Sequence, residues 1–389
     1  MVFNFLPKNN FSSKKILQLI FLLILLLVGT LLLIRIILEQ QIYKTPLSID
    51  LTNSAPVADT IITPTDLSLI TKIEPPLNKI SFLNGQEISL QIPEQCLAVV
   101  IENSPQSRPQ MQGLVEAPLV YETPAEGGVT RFLAIFDDPQ ELVKIGPVRS
   151  ARSYLVDFAE NLNAIFVHAG GSPAALEQLR QSFIPNFSED YDIVYRDPNL
   201  PKPHNLFVNL VALTEFFQQK PNLPQPSLNL TEPIFDFMGK IPAEAQAVEH
   251  FALDFSYPQY FVAYAFDNLA QDYQRKLAQV VHTDALQQEI RPVNIIIKFI
   301  DYWVADEAGR LAFAEQTKGV AWFFSGGQFW QGTWQKLGDH IRFLNTDGSR
   351  LSLNPGQTFI EVINDQARVQ VERKESFEPA LTEELAQNA

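Results

Sequence analysis

The hydrophobic pattern divides the chain into stretches of different character. From Ile16 to Ile34 almost every residue is Leu, Ile, Val or Phe, interrupted by Gln18, Gly29 and Thr30, and the run continues through Ile36, Ile37 and Leu38. A helix over Ile16 to Ile34 rises about 1.5 Å per residue and reaches roughly 28 Å, close to a bilayer's hydrocarbon thickness. No small-residue cleavage site follows, so residues 16–38 predict one uncleaved transmembrane anchor. Lys8, Lys14 and Lys15 precede it. The positive-inside rule then places residues 1–15 in the cytoplasm and everything after Leu38 outside. Residues 39–76 turn to Ser, Thr, Pro, Asn and Asp without sustaining one period, which predicts an extracytoplasmic stalk.

Residues 77–229 read as a first folded domain. Leu97–Ile101, Leu119–Tyr121, Phe132–Phe136, Ala164–Val167 and Ile193–Tyr195 are short apolar runs of buried-strand length. Helix patterns at Ser150–Glu160, Ala174–Ser182 and Ala212–Gln219 lie between or after them. A proline-rich stretch (Pro221, Pro224, Pro226, Pro233) then marks a linker. In residues 234–364 strand-like runs dominate: Tyr260–Phe266, Val293–Val304, Leu311–Phe313, Val320–Phe324, Gln328–Trp334, Ile341–Leu344 and Thr358–Val362. Turn signals such as Ser325-Gly326-Gly327 and Thr346-Asp347-Gly348 separate several of them. The expected fold class is α+β: a transmembrane helix, a mixed α/β sandwich-like first domain and a mostly antiparallel β second domain. Residues 365–389 read as a charged, flexible tail with at most a short helix.

Charge narrows the possible partners. The first 45 residues carry Lys8, Lys14, Lys15, Arg35 and Lys44 against Glu39, so in a chain of net charge −15 the remainder carries −19. Nucleic acid and anionic lipid headgroups both call for a basic stripe, so no nucleic-acid partner is expected. The single cysteine, Cys96, excludes an intramolecular disulfide and thiolate metal sites. It reads as a small buried hydrophobe. The aromatic run Trp322, Phe323, Phe324, Phe329, Trp330, Trp334 fits strand packing or a carbohydrate platform.

Polar chemistry concentrates between Glu122 and Pro173, where strand patterns end in glycine, arginine, carboxylate and histidine, the usual location of ligands in open α/β sheets. Arg149 and Arg152 are three apart. If a helix begins near Pro147 they share a face of its first turn, where guanidinium forks and free N–H groups suit a phosphate or carboxylate. The alternative is that they pair with Glu122, Glu126 or Asp157 to hold the sheet together. His168 precedes Gly170-Gly171-Ser172, with Ser172 as an N-cap. His204 and His282 also sit in polar settings. Asp284 could orient His282, the pair lying across the sheet from His168. No spacing matches a zinc motif, a Walker loop, GxGxxG or GxSxG, so no metal site is expected and a catalytic signature is absent.

At these residues the chain resembles the YerB-like family, bacterial extracytoplasmic proteins, often lipoproteins, with two adjoining domains of unknown function. The resemblance rests on LAVVIEN with SRPQ and GL, VYETPAEGGVTRFLAIF, IGPVRSARSY, IFVHAGGSP and KPHNLF in the first domain. In the second it rests on YQR, HTD, NIIIKFIDYWVADEAGRL, GGQFWQGTW, IRF and LNPGQTFIEV. It covers about residues 80–364, adds Asn205 to the candidates and implies fold and compartment but no activity. A looser likeness, Thr130 to Leu179, is similar in order to the LytR-CpsA-Psr phosphotransferases. It implies phosphates held by Arg131, Arg149 and Arg152 together with a divalent metal. The leading expectation is an envelope protein, anchored by its N-terminal helix, that binds an anionic ligand or protein partner through the Arg/Glu/His cluster. Phosphoryl transfer to lipid-linked wall precursors and a structural assembly role are the alternatives.

Overall fold

Short runs of β-branched and aromatic residues bounded by Gly, Pro, Asn and Asp favour strands over helices, and the computed structural model is built mainly from strands. It describes residues 79–88, 96–137, 142, 144–189, 193–219, 234–237, 240–337 and 340–373, all within the unit Glu74–Ala389. The first half contains β1 (Lys79–Ile80), β2 (Glu87–Ile88), β3 (Leu97–Glu102), β4 (Leu119–Pro124), β5 (Thr130–Phe136), α1 (Ser153–Glu160), β6 (Ile165–Val167), α2 (Pro173–Gln181), β7 (Asn186–Phe187), β8 (Val194–Arg196), β9 (Leu206–Val208) and α3 (Leu210–Gln219). There follow β10 (Gln246–Asp254), β11 (Phe261–Asp267), β12 (Asp272–Leu277), β13 (Val280–Val281), β14 (Asn294–Phe299), β15 (Tyr302–Val304) and β16 (Leu311–Phe313). The chain continues with β17 (Lys318–Ser325), β18 (Gln328–Leu337), β19 (His340–Asn345), β20 (Thr358–Ile363) and β21 (Val369–Arg373).

One sheet runs through both halves in the order β13-β12-β11-β10-β18-β17-β14-β20-β4-β5-β3-β6-β7, with β19 beside β18 and β21 beside β10. The halves join where β20 pairs in parallel with β4 on one side and β14 on the other. The α+β expectation is therefore corrected to a mainly β fold, because strands of both halves knit into one sheet and among the described residues only three short α-helices accompany it. Within the second half the strand pairs are antiparallel except β14 and β20, which run parallel. The predicted anchor at 16–38 lies outside the described residues. Among the described residues no helix is long and apolar enough to cross a membrane.

Sequence and structure also part at individual elements. The run Val293–Val304 divides after Phe299, and Tyr302–Val304 forms a separate hairpin with β16. The charged strands β10 and β12 escape an apolar-run criterion because polar residues interrupt both. The expected tail at 365–389 opens with a 3-10 turn over Gln366–Arg368, followed by β21, which pairs with β10 as far as Arg373, and residues 374–389 lie outside the described residues.

Each face of the main sheet has its own core. β10 pairs with β18 only at Gln246 and Ala247, then with β11 and β21. It carries this second antiparallel layer over the central strands, where the Phe251 and Phe324 rings stack 3.7 Å apart. On the other face α1 and α2 lie against the sheet, with Tyr121 stacked on Phe158 at 4.6 Å. Trp330 and Trp334 are buried in this second core, so the aromatic run packs the interior rather than forming an exposed platform. Cys96 is also fully buried.

Lys298 of β14 breaks the apolar pattern of this second core. Its ammonium lies 4.3 Å from the Trp334 ring centroid and 4.9 Å from that of Phe158, and burial pushes its pKa down to about 7. The unfolded chain keeps this proton to the ordinary lysine range, so between pH 7 and that range it binds more protons than the folded chain. Lys298 should accordingly make stability rise with pH above 7, by at most about 1.4 kcal/mol per unit. Urea unfolding at pH 7, 8 and 9 should show this slope in the wild type relative to Lys298→Met; equal slopes would refute the assignment.

Candidate functional site

β4, β20 and β14 run in one direction, as do β3 and β6. Because β5 is antiparallel to both β3 and β4, the two groups share that direction. Their C-terminal ends bring Glu102, Glu126 and His168 to one border of the sheet, beside Arg131 at the start of β5. Residues 145–151 run along this border as an extended strip between the ends of β3 and β6. Glu102 N donates to Pro147 O (2.9 Å), Arg149 N to Val100 O (2.9 Å), Ala169 N to Arg149 O (2.9 Å) and Ala151 N to Gly170 O (3.0 Å). Helix α1 starts at Ser153 with Arg152 as its N-cap residue, not near Pro147. The chain from Arg149 to Arg152 is thus extended, and residues three apart on an extended chain face opposite ways.

That separates the two arginines. Arg149 donates through Nη2 to Glu102 Oε1 (2.7 Å), while His204 Nδ1 lies 2.8 Å from Glu102 Oε2. Arg152 donates to Glu126 Oε1, and Arg131 reaches Glu126 Oε2 at 3.2 Å. Burial opposes ionisation of Glu102, but hydrogen bonds from Arg149, His204 and Ser104 outweigh it and hold its pKa below the usual range. Glu126 is similar, its burial overcome by Arg152 and Arg131. Burial weakens the hold of Arg131 on its proton, as do the like charges of Arg152 and Arg149. Three guanidiniums therefore share two carboxylates.

A second group of charges lies wholly inside. Glu122 of β4 and Glu361 of β20 are register partners on adjacent parallel strands, both fully buried. The alternating inward set of β12 (Tyr273, Arg275, Leu277) places the Arg275 guanidinium against them. Arg275 donates through Nη2 to Glu122 Oε2 and through Nε to the Tyr264 hydroxyl (3.0 Å). Its Nη1 faces His282 Nδ1, and the Tyr264 hydroxyl donates to Glu361 Oε1. Asn103 Nδ2 (3.0 Å) and the Thr130 hydroxyl complete the shell of Glu122 Oε1. Burial and then the neighbouring Glu122 push Glu361 up to about 8. His282 is held well below its usual pKa by burial and by Arg275.

The candidates thus divide. Glu126, Arg131, Arg149, Arg152 and His204 meet at the sheet border; Glu122 and His282 belong to the interior. His168 is bonded to Gly170 O (2.7 Å) and Asn186 Oδ1 (3.3 Å). Ser172 caps α2 by accepting from Ala175 N (3.2 Å). Asn205 accepts from Arg196 and donates to Asp197 O and Leu200 O. Asp284 Oδ1 closes its own loop at Leu286 and Gln288, and it makes no hydrogen bond to His282. Sequence reasoning missed Glu102, Asn103, Tyr264, Arg275 and Glu361. The signal for Arg275 was the alternation Tyr273-x-Arg275-x-Leu277, which assigns an arginine to the core face.

Comparison with known proteins gives a consistent picture. Residues 83–223 match the N-terminal domain, and residues 251–360 the C-terminal domain, of proteins described as of unknown function, DUF3048. The chain is 30% identical over 275 residues to YerB of Bacillus subtilis (strain 168), provisionally described as a lipoprotein. The match covers 69% of this chain and 81% of YerB. The crystal structure of YerB superposes with a TM-score of 0.67 at 28% identity, covering 76% of this chain and all of that one.

The buried charges have measurable consequences. Arg275→Met leaves Glu122 without its counter-charge in a dry site and should cost about 3–5 kcal/mol of unfolding free energy, read by chemical denaturation. Glu361 binds its proton more tightly folded than unfolded, so its stabilising contribution is complete in acid and is lost as pH rises through about 8. Glu361→Gln should remove that decline between pH 5 and 8; an unchanged slope would show that Glu361 is not its source.

Proposed function

The chain belongs to the DUF3048 family, and from that premise we propose that it is a membrane-associated, extracytoplasmic binding protein whose sheet-border cluster takes an anionic group. The compartment follows the description of YerB as a lipoprotein. Cys96 is not a lipid attachment point, because its thiol is enclosed in the core.

The carrying observation is that three guanidiniums stand along one sheet border against only two carboxylates, Arg131 and Arg152 on Glu126 and Arg149 on Glu102, in a chain of net charge −15. The arginine side chains remain 12–25% exposed. Forks held in place by carboxylates yet reachable from solvent are prepared to accept phosphate or carboxylate oxygens with little reorganisation. Glu102 and Glu126 are held ionised, which suits them to positioning guanidiniums rather than to donating protons. His204, against Glu102, provides a further donor when protonated.

Isothermal titration of the detergent-purified full chain with pyrophosphate and with citrate tests this reading. Saturable binding that weakens with salt, and falls at least about tenfold in an Arg149→Ala, Arg152→Ala variant of unchanged circular dichroism, is expected. Absence of saturable binding of either probe by the wild type, or equal affinity in the variant, would reject it.

A further inference from the structure

The hairpin of β15 and β16 forms its own two-stranded sheet. Its register pairs Tyr302 with Phe313, Trp303 with Ala312 and Val304 with Leu311. Ala314 N donates to Asp301 O (2.8 Å) and Ala305 N to Arg310 O (2.7 Å). Residues 301, 303 and 305 are therefore the ones bonded to β16, and Tyr302 and Val304 turn their N–H and C=O groups the other way. Among the described residues no strand pairs with that edge. Nor do its side chains discourage pairing. Trp303 is 53% and Val304 64% exposed, where free edges usually carry lysine, proline or a cover.

Tyr302 and Val304 also line a groove of about 520 Å³, within the size range of ligand sites. Its far wall is the turn at Gly127 and Gly128 together with Tyr257. Gly128 has φ +73°, and a Cβ there would lie 2.7 Å from the Tyr257 ring, so glycine permits this close approach. Arg368 also lines the groove. Its Nη1 donates to Phe255 O (2.7 Å) and Asp254 O (3.4 Å), and among the described residues it pairs with no carboxylate.

We propose that this groove binds an extended peptide bearing a carboxylate, which adds as a third strand along β15 and sets its carboxylate on Arg368. The outward groups of Tyr302 and Val304 recur every second residue, about 6.6 Å apart, which is the repeat of an extended peptide backbone. Main-chain bonds to β15 supply affinity, and alternate side chains enter the groove between Tyr257 and Val304. Arg368 supplies the charge complementarity. None of Arg131, Arg149 and Arg152 lines this groove, so the proposal stands apart from the anion site.

The test pans a phage-displayed library of random dodecapeptides against the full chain. Enriched sequences are then synthesised and measured by fluorescence anisotropy. Peptides rich in β-branched residues with an acidic residue or free C-terminus are expected. Their affinity should fall at least tenfold with Arg368→Ala, with Val304→Pro, and when alternate peptide nitrogens are methylated. Val304→Pro deletes an outward N–H without removing a bond to β16, and the surface variant Arg368→Ala guards against misfolding of the hairpin. The Arg149→Ala, Arg152→Ala variant should bind these peptides unchanged. Indifference to N-methylation and to both groove variants, no enrichment over the Val304→Pro protein, or dimerisation through this edge in place of peptide binding would overturn the proposal.

Discussion

Arg275, fully buried between two carboxylates, is the interaction on which the two-layered fold turns. Parallel pairing of β4 with β20 sets Glu122 and Glu361 side by side, an arrangement that two ionised groups could not hold in a low dielectric. The second layer resolves the conflict by lowering β12 onto them with its arginine inward. One guanidinium serves Glu122 directly and Glu361 through the Tyr264 hydroxyl. Glu361 keeps its proton, so the buried group need not carry two uncompensated negative charges. Such clusters add little net stability compared with apolar packing. They do specify register, since a slip of β12 by one residue would turn Arg275 outward and leave Glu122 alone.

The sheet-border cluster depends on a different constraint, the extended strip from Ile145 to Ala151. Had α1 begun near Pro147, Arg149 and Arg152 would have shared one helical face. Because the strip gives its backbone bonds to the ends of β3 and β6 instead, the arginines part. Each takes its own glutamate, and a guanidinium–carboxylate pair stands on either side of the strip.

Strand positions were legible in the sequence wherever the hydrophobic pattern was continuous. Leu97–Ile101, Phe132–Phe136 and Leu311–Phe313 are strands or lie within them. Fold class was not, because the decisive pairing of β4 with β20 joins residues more than two hundred positions apart, and local periodicity carries no information about such partners. The border residues were legible as a dense polar segment; Arg149 and Arg152 were named from it, and Arg131 from the looser likeness to the phosphotransferases. Their partners were only half legible. Glu102 follows directly on the apolar run Leu97–Ile101, and Arg275 stands between the polar Gln274 and Lys276, where only the alternation of β12 turns it inward.

Interior and border are built from neighbouring residues, and this ties them mechanically. Glu102 faces Arg149 at the border while Asn103, next in the chain, bonds Glu122 inside. Arg131 reaches Glu126 outside, and Thr130 before it donates to Glu122 within. Arg108 adds a strut, its Nε on Asn103 Oδ1 (2.9 Å) and its Nη2 on Gln259 O (2.8 Å) in the second layer. Glu102 and Arg131 are thus each one residue along the chain from a group bonded to the buried Glu122. Side chains so locked lose little freedom when a ligand arrives. Under the proposed anion-binding role, arginines already paired with carboxylates would depend on this rigidity to meet a ligand with little reorganisation.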